Sequence, residues 1–131
     1  FNASYAITDS FGQNLGKIAR KGMRSIWKAT YNIFDQNDTQ KYKVQEENAW
    51  VKVLDGMVGE IPIIGMFTGY FLNPSYIVHD NNGKEIYRLK KMPSFFGRKF
   101  QLDQINDIPD HEETLVVLSL MMMVLLERAK G

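Results

Sequence analysis

The twelve residues Leu115-Val-Val-Leu-Ser119-Leu-Met-Met-Met123-Val-Leu-Leu126 decide how the rest of the chain must be arranged. Ser119 is their only polar side chain. A surface helix keeps one apolar stripe, whereas this one would be apolar around its whole circumference and so must be covered on all sides. Both ends carry helix signals. Asp110 stands at the cap with Glu113 three residues on, a variant of the capping box. Pro109 keeps helix from running in from upstream. Glu112 and Glu113 suit the positive end of the helix dipole, and Arg128 and Lys130 the negative end. At helical rise the apolar run extends roughly 18 Å, well short of the roughly 30 Å of a bilayer core. Val116, Val117 and Val124 lean weakly towards strand, but the capped ends and the Leu and Met content outweigh them. The sequence predicts a central hydrophobic helix over residues 111–128, surrounded by protein.

Upstream, three segments share one pattern. Tyr5-Ala-Ile-Thr-Asp9-Ser-Phe-Gly12 leads to Lys17 and Ile18. Tyr31-Asn-Ile-Phe-Asp35-Gln-Asn-Asp38 leads to Lys43 and Val44, and Tyr76-Ile-Val-His-Asp80-Asn-Asn-Gly83 leads to Arg88 and Leu89. Tyrosine and β-branched residues favour strand. Asp-x-x-Gly and Asp-x-x-Asp are turn chemistry, because Asp bonds the backbone ahead of it and Gly or Asp tolerates the left-handed position. The segments therefore predict three β-hairpins. Lys21-Gly-Met23-Arg-Ser25-Ile-Trp27 after the first and Lys90-Lys-Met92-Pro-Ser94-Phe-Phe96 after the third share a Met-x-Ser-aromatic corner. Residues 5–33 and 76–102 thus read as two copies of one unit. Ala49 to Leu54 alternates and reads as a further strand. Leu54 to Leu72, broken by Gly56, Gly59, Gly65 and Gly69, reads as a buried crossover or a short helix closing the barrel, with an interfacial membrane contact through Phe67, Tyr70 and Phe71 as the sharper reading.

The 131 residues predict one domain, 1–131. The chain opens on Phe1 rather than Met, and further residues are expected upstream. With 44% hydrophobic and 24% charged residues it has the composition of a soluble globular protein. A net charge of +1 gives no bulk attraction for nucleic acid, and none is expected as a partner. The absence of cysteine excludes disulfides, thiolate metal sites and cysteine nucleophiles. About eight or nine strands and one apolar helix are satisfied together if an antiparallel sheet curls around the helix. The expected class is α+β, mainly β: a barrel wrapped around a buried C-terminal helix. A barrel of about eight strands fills with its own side chains, so housing a helix takes a wider one, or one left incomplete.

The basic residues are the most informative polar feature. Lys17, Lys43 and Arg88 take the same place in each hairpin, one residue before the inward aliphatic, and should point outward. The corners add Arg20, Lys21, Arg24 and Lys28 in one copy, and Lys90, Lys91, Arg98 and Lys99 in the other. The plain reading is a solvated face whose lysines discourage edge pairing. The functional reading is a basic rim for anionic lipid headgroups. Other candidates have structural explanations. Asp110-His-Glu-Glu113 is not a zinc motif and reads as a helix cap. His79 has no second histidine nearby. Asp9, Asp35 and Asp80 read as turn residues rather than calcium ligands. Ser25 and Ser94 lack a nucleophile-elbow context, Trp27, Phe95 and Phe96 read as core, and Met121 to Met123 as gap-filling core. No nucleophile is paired with a base, so an enzyme is not expected, nor any cofactor or metal.

The Tyr-x-Ile/Val-x-Asp-x-x-Gly hairpins, the Lys90-Lys91-Met92-Pro93-Ser94-Phe95-Phe96 corner and the terminal run ending Leu126-Glu127-Arg128 resemble the tubby-like C-terminal superfamily, which includes phospholipid scramblases and LURP-one-related proteins. The resemblance covers nearly the whole chain and implies a β-barrel threaded by a hydrophobic helix. It also implies a link to membranes, through phosphoinositide binding or lipid movement. The chain departs from the scramblases in lacking their cysteine-rich segment. The expectation is a non-enzymatic binding module, cytoplasmic and peripheral to the membrane through anionic phospholipid. The alternatives are a scramblase-like lipid mover, or an intracellular structural or partner-binding domain without a lipid role.

Overall fold

One aspartate builds each of three hairpins in the same way. A computed structural model describes residues 3–21, 30–47, 75–92 and 99–128. In it Asp9 Oδ1 accepts the N–H groups of Phe11 and Gln13, both at 2.9 Å. Asp35 Oδ1 accepts from Asn37 and Thr39, and Asp80 Oδ1 from Asn82 and Lys84. The left-handed position three residues on is Gly12 (φ 80°), Asp38 (φ 61°) and Gly83 (φ 81°). Each of these N–H groups donates to the aspartate's own carbonyl at 3.1 Å. The turns are therefore closed by their own residues, as the spacing predicts.

These turns join β1 (Ser4–Thr8) to β2 (Asn14–Arg20), β3 (Thr30–Asp35) to β4 (Gln40–Glu46), and β5 (Ser75–Asp80) to β6 (Glu85–Met92). With β7 (Lys99–Gln104) they form one seven-stranded sheet in chain order, every neighbour antiparallel. The hairpins share even their irregularity: a register shift follows Ile7, Ile33 and Val78, each two residues before its aspartate. The extra residue bends the strand and raises its twist, and the sheet curls into a half-barrel. The corners at 22–29 and 93–98, the expected strand at Ala49 to Leu54 and the Gly-punctuated stretch to Leu72 lie outside the described residues.

Alternation then sorts the side chains. Ile18, Ile33, Val44, Val78 and Leu89 line the concave face and are buried. Against them packs the single described helix, α1 (Asp110–Arg128), through Leu115, Val116, Leu120 and Met123. Fully burying one such side chain contributes about 1.5–3 kcal/mol, so the four together are a large contribution to the fold's stability. The N–H groups of Glu112 and Glu113 donate to the Pro109 carbonyl. Pro109 therefore stands at the cap and Asp110 is the first helical residue, so the helix begins one place earlier than the sequence suggests.

Among the described residues the helix is covered on one side only. Met121 and Leu125 are each 58% exposed, so the enclosure expected from an all-apolar circumference does not close among the described residues. Nor does the helix sit centrally; it lies nearest β1, β2 and β3. Gly16 permits the close approach on that side. It occupies the place, seven residues after the aspartate, that Tyr42 and Tyr87 fill in the other hairpins. A Cβ there would fall 3.0 Å from Leu115 Cδ1 and 2.1 Å from the Phe34 carbonyl oxygen. Its φ of 149° also disfavours a side chain. On the far flank, helix and sheet separate into an apolar groove of about 350 Å³ lined by Leu89, Phe100, Leu102, Leu120, Met121 and Leu125 among others.

Candidate functional site

Antiparallel order in a meander places alternate strand ends together. The three aspartate turns lie at one end of the sheet. The end of β2, the start of β3, the ends of β4 and β6 and the start of β7 lie at the other. Arg20, Lys21, Lys90, Lys91 and Lys99 consequently share that second end, although 79 positions separate the first from the last (99 minus 20). The helix runs the length of the sheet between the two ends. Its start lies at the turn end, where Tyr42 Oη donates to Glu112 Oε1 at 3.2 Å. Its last turn lies at the basic end, where Tyr31 Oη donates to Glu127 Oε1 at 2.5 Å. Charge is thus uneven along the molecule, although Lys41 and Lys84 accompany the aspartates at the turn end and Glu46, Glu47 and Glu127 the cations at the other. Asp9, Asp35, Asp38, Asp80 and Asp110 gather at the turn end around the positive terminus of the helix, an arrangement the helix dipole favours.

The basic end itself is uneven. Lys90 is on the convex face opposite Gln101, and Lys91 on the concave side opposite Phe100. Arg20 lies on the concave side opposite Tyr31, with its guanidinium 5.9 Å from the ring centroid, close enough for a cation–π contact. Lys21 and Lys99 are exposed. Arg24, Lys28 and Arg98 lie outside the described residues. Glu46 and Glu47 end in the same region.

Lys17, Lys43 and Arg88 do point to the convex face, one place before the buried Ile18, Val44 and Leu89, but they do not form one patch. Lys17 Nζ lies 3.2 Å from Asp38 Oδ1 and 5.0 Å from the Phe34 ring centroid. Arg88 Nε lies 3.3 Å from Glu47 Oε1, near enough for an ion pair though not aligned as a hydrogen bond. The same Glu47 oxygen accepts from Ser75 Oγ at 2.6 Å. Lys43 sits between Asn32 and His79 in the register.

The tyrosine–glutamate ties escaped the sequence reading, which assigned Glu112 to the helix cap. Their signal is there in retrospect: tyrosines at inward positions of the repeat and acids at both ends of an apolar helix. Burial raises the Tyr31 and Tyr42 phenols well above the ordinary 10.0, and the neighbouring Glu127 and Glu112 carboxylates push the same way. Tyr87 is raised as well, by burial first and by Glu113 and Asp107 second. Its hydroxyl is buried without a hydrogen-bond partner among the described residues. These phenols therefore stay protonated in the folded chain, and Tyr31 and Tyr42 anchor the helix through their hydroxyls.

Among the described residues no group of three or more His, Cys, Asp or Glu side chains could hold a metal ion. No helix among them is long and apolar enough to cross a membrane. No protein-family model, curated protein or solved structure matches the chain.

Proposed function

We propose that the protein is a non-enzymatic binding module, and that the sheet end bearing Arg20, Lys21, Lys90, Lys91 and Lys99 docks on anionic lipid headgroups at a cytoplasmic membrane surface. The observation that carries this reading is the strand register, which gathers cations from two distant segments at one end and leaves the aspartates at the other. The excess of cations at one end and of acids at the other orients a single copy of the chain, basic end first, towards an anionic surface. Each Lys or Arg near such a surface is worth about 1 kcal/mol. The resemblance to the tubby-like superfamily points the same way.

Co-sedimentation with vesicles tests it. Recovery should be greater with anionic than with neutral vesicles and should fall as salt rises. The double variant Lys21→Glu/Lys90→Glu should weaken binding more than tenfold, two reversed charges at about 1 kcal/mol or more each. Equal recovery on both vesicle types, insensitive to salt, would leave the domain as a structural or partner-binding unit. A dithionite assay in proteoliposomes distinguishes binding from lipid movement: accelerated quenching would favour a scramblase-like mover, unchanged quenching binding alone.

A further inference from the structure

Strand β7 is an edge of the sheet among the described residues. The Ile105 N–H donates to the Ile86 carbonyl at 2.7 Å, which sets the alternation along β7. Lys99, Gln101 and Asp103 turn their backbone groups to β6, while Phe100 and Leu102 turn theirs to the open edge. Beside this edge, on the concave side, lies the apolar groove, with Leu102 38% exposed and Met121 58% exposed. Edges are commonly blunted by proline, a bulge or a run of like charge. β7 contains no proline, its pairing with β6 is unbroken, and its two charges are of opposite sign.

Those charges are placed so that the strand complements itself. Laid antiparallel on a second Lys99-Phe-Gln-Leu-Asp103, it sets Lys99 against Asp103, Phe100 against Leu102 and Gln101 against its own copy. We propose that two copies of this chain associate edge to edge through β7, on a two-fold axis at Gln101, making one continuous sheet. The faces agree: Lys99 and Asp103 both lie on the convex side, and Phe100 and Leu102 both on the concave side. The backbone agrees too, because Phe100 and Leu102, whose N–H and C=O groups face the edge, stand opposite each other as a hydrogen-bonded pair. Sliding the register by two residues, to centre on Phe100 or Leu102, separates both ion pairs. Gln101 Nε2 donates to Asp103 Oδ1 at 2.9 Å and holds that carboxylate towards the axis. The Lys99–Asp103 and Phe100–Leu102 contacts each occur twice and the Gln101 contact once, on the axis, as a two-fold interface requires. The partner's apolar pair extends the floor of the groove beneath Met121.

Sedimentation equilibrium of the 131-residue chain over a range of concentrations reads the association, and circular dichroism checks the fold of each variant. A monomer–dimer equilibrium is expected. Lys99→Asp and Asp103→Lys each set like charges face to face and should weaken it at least tenfold. The combined variant Lys99→Asp/Asp103→Lys recreates the pair with its signs exchanged and should restore it. Because the chain has no cysteine, Gln101→Cys supplies a second readout. Opposed residues of a non-hydrogen-bonded antiparallel pair have Cα atoms about 4.5 Å apart, within disulfide reach. Gln101→Cys should cross-link on mild oxidation and Gln104→Cys should not. A monomer at every concentration, a dimer indifferent to the charge exchanges, or equal cross-linking at both positions would overturn the proposal.

Discussion

The two flanks of the helix are built from equivalent strands and behave differently. On the β1–β3 flank the repeat supplies Gly16, and Leu115 closes to within reach of the backbone. On the β6–β7 flank the same place holds Tyr87, and the contact opens into a groove. Three copies of one hairpin would by themselves have made a symmetrical trough. A single missing side chain leaves room for the helix to lie close against one wall.

The contrast can be broken most directly at its source. Gly16→Ala places a Cβ against a carbonyl oxygen that cannot withdraw, at a φ unsuited to a side chain. A loss of about 3–5 kcal/mol is expected in denaturant unfolding, at the severe end of point-mutant effects. A loss under about 1 kcal/mol, within the range of ordinary surface changes, would show that the close approach is incidental.

Next in size is a comparison within the helix. Met123 is fully buried and Leu125, two residues on, is mostly exposed. Truncating Met123 to Ala should cost about 2–4 kcal/mol, whereas Leu125→Ala should cost less than about 1 kcal/mol. Equal costs would mean that the helix is buried on both faces after all.

The anchors sharpen the comparison further. Tyr31→Phe removes the donor to Glu127 and should cost about 1.5–3 kcal/mol, the range for hydrogen bonds to charged groups. Alkali probes the same sites. Tyr31, Tyr42 and Tyr87 are raised above 10.0 in the folded chain. The unfolded chain therefore loses protons first, and stability that is intact below about pH 10 declines as pH rises beyond it. Tyrosinate absorbance should show these three ionising only as the fold is lost. Their titration near pH 10 with the sheet intact would remove them from the buried anchors.

The hairpins were legible because their information is local. Asp9, Asp35 and Asp80 bond only neighbours within four residues, and spacing alone conveys that. Ile18, Val44 and Leu89 read correctly as inward because alternation is equally local. The helix was legible as an element but not in its setting. Met121 and Leu125 are as apolar as Leu120 and Met123, and composition does not tell which face meets a sheet. Gly16 was opaque, since a glycine in a strand reads as weakness unless the helix above it is known. The placing of Arg20, Lys90 and Lys99 at one end of the sheet depends on strand order, which no single segment encodes. The Tyr31–Glu127 tie, spanning 96 residues, is hidden for the same reason.

That tie also has a consequence during synthesis. The helix follows all seven described strands in chain order, so the trough must be translated before its lid exists. Until Glu127 leaves the ribosome, Ile18, Ile33 and Val44 have no covering side chains from the helix, and long-range closure of this kind is slow. A nascent sheet with a bare concave face exposes apolar surface of the kind that makes folding intermediates prone to aggregate.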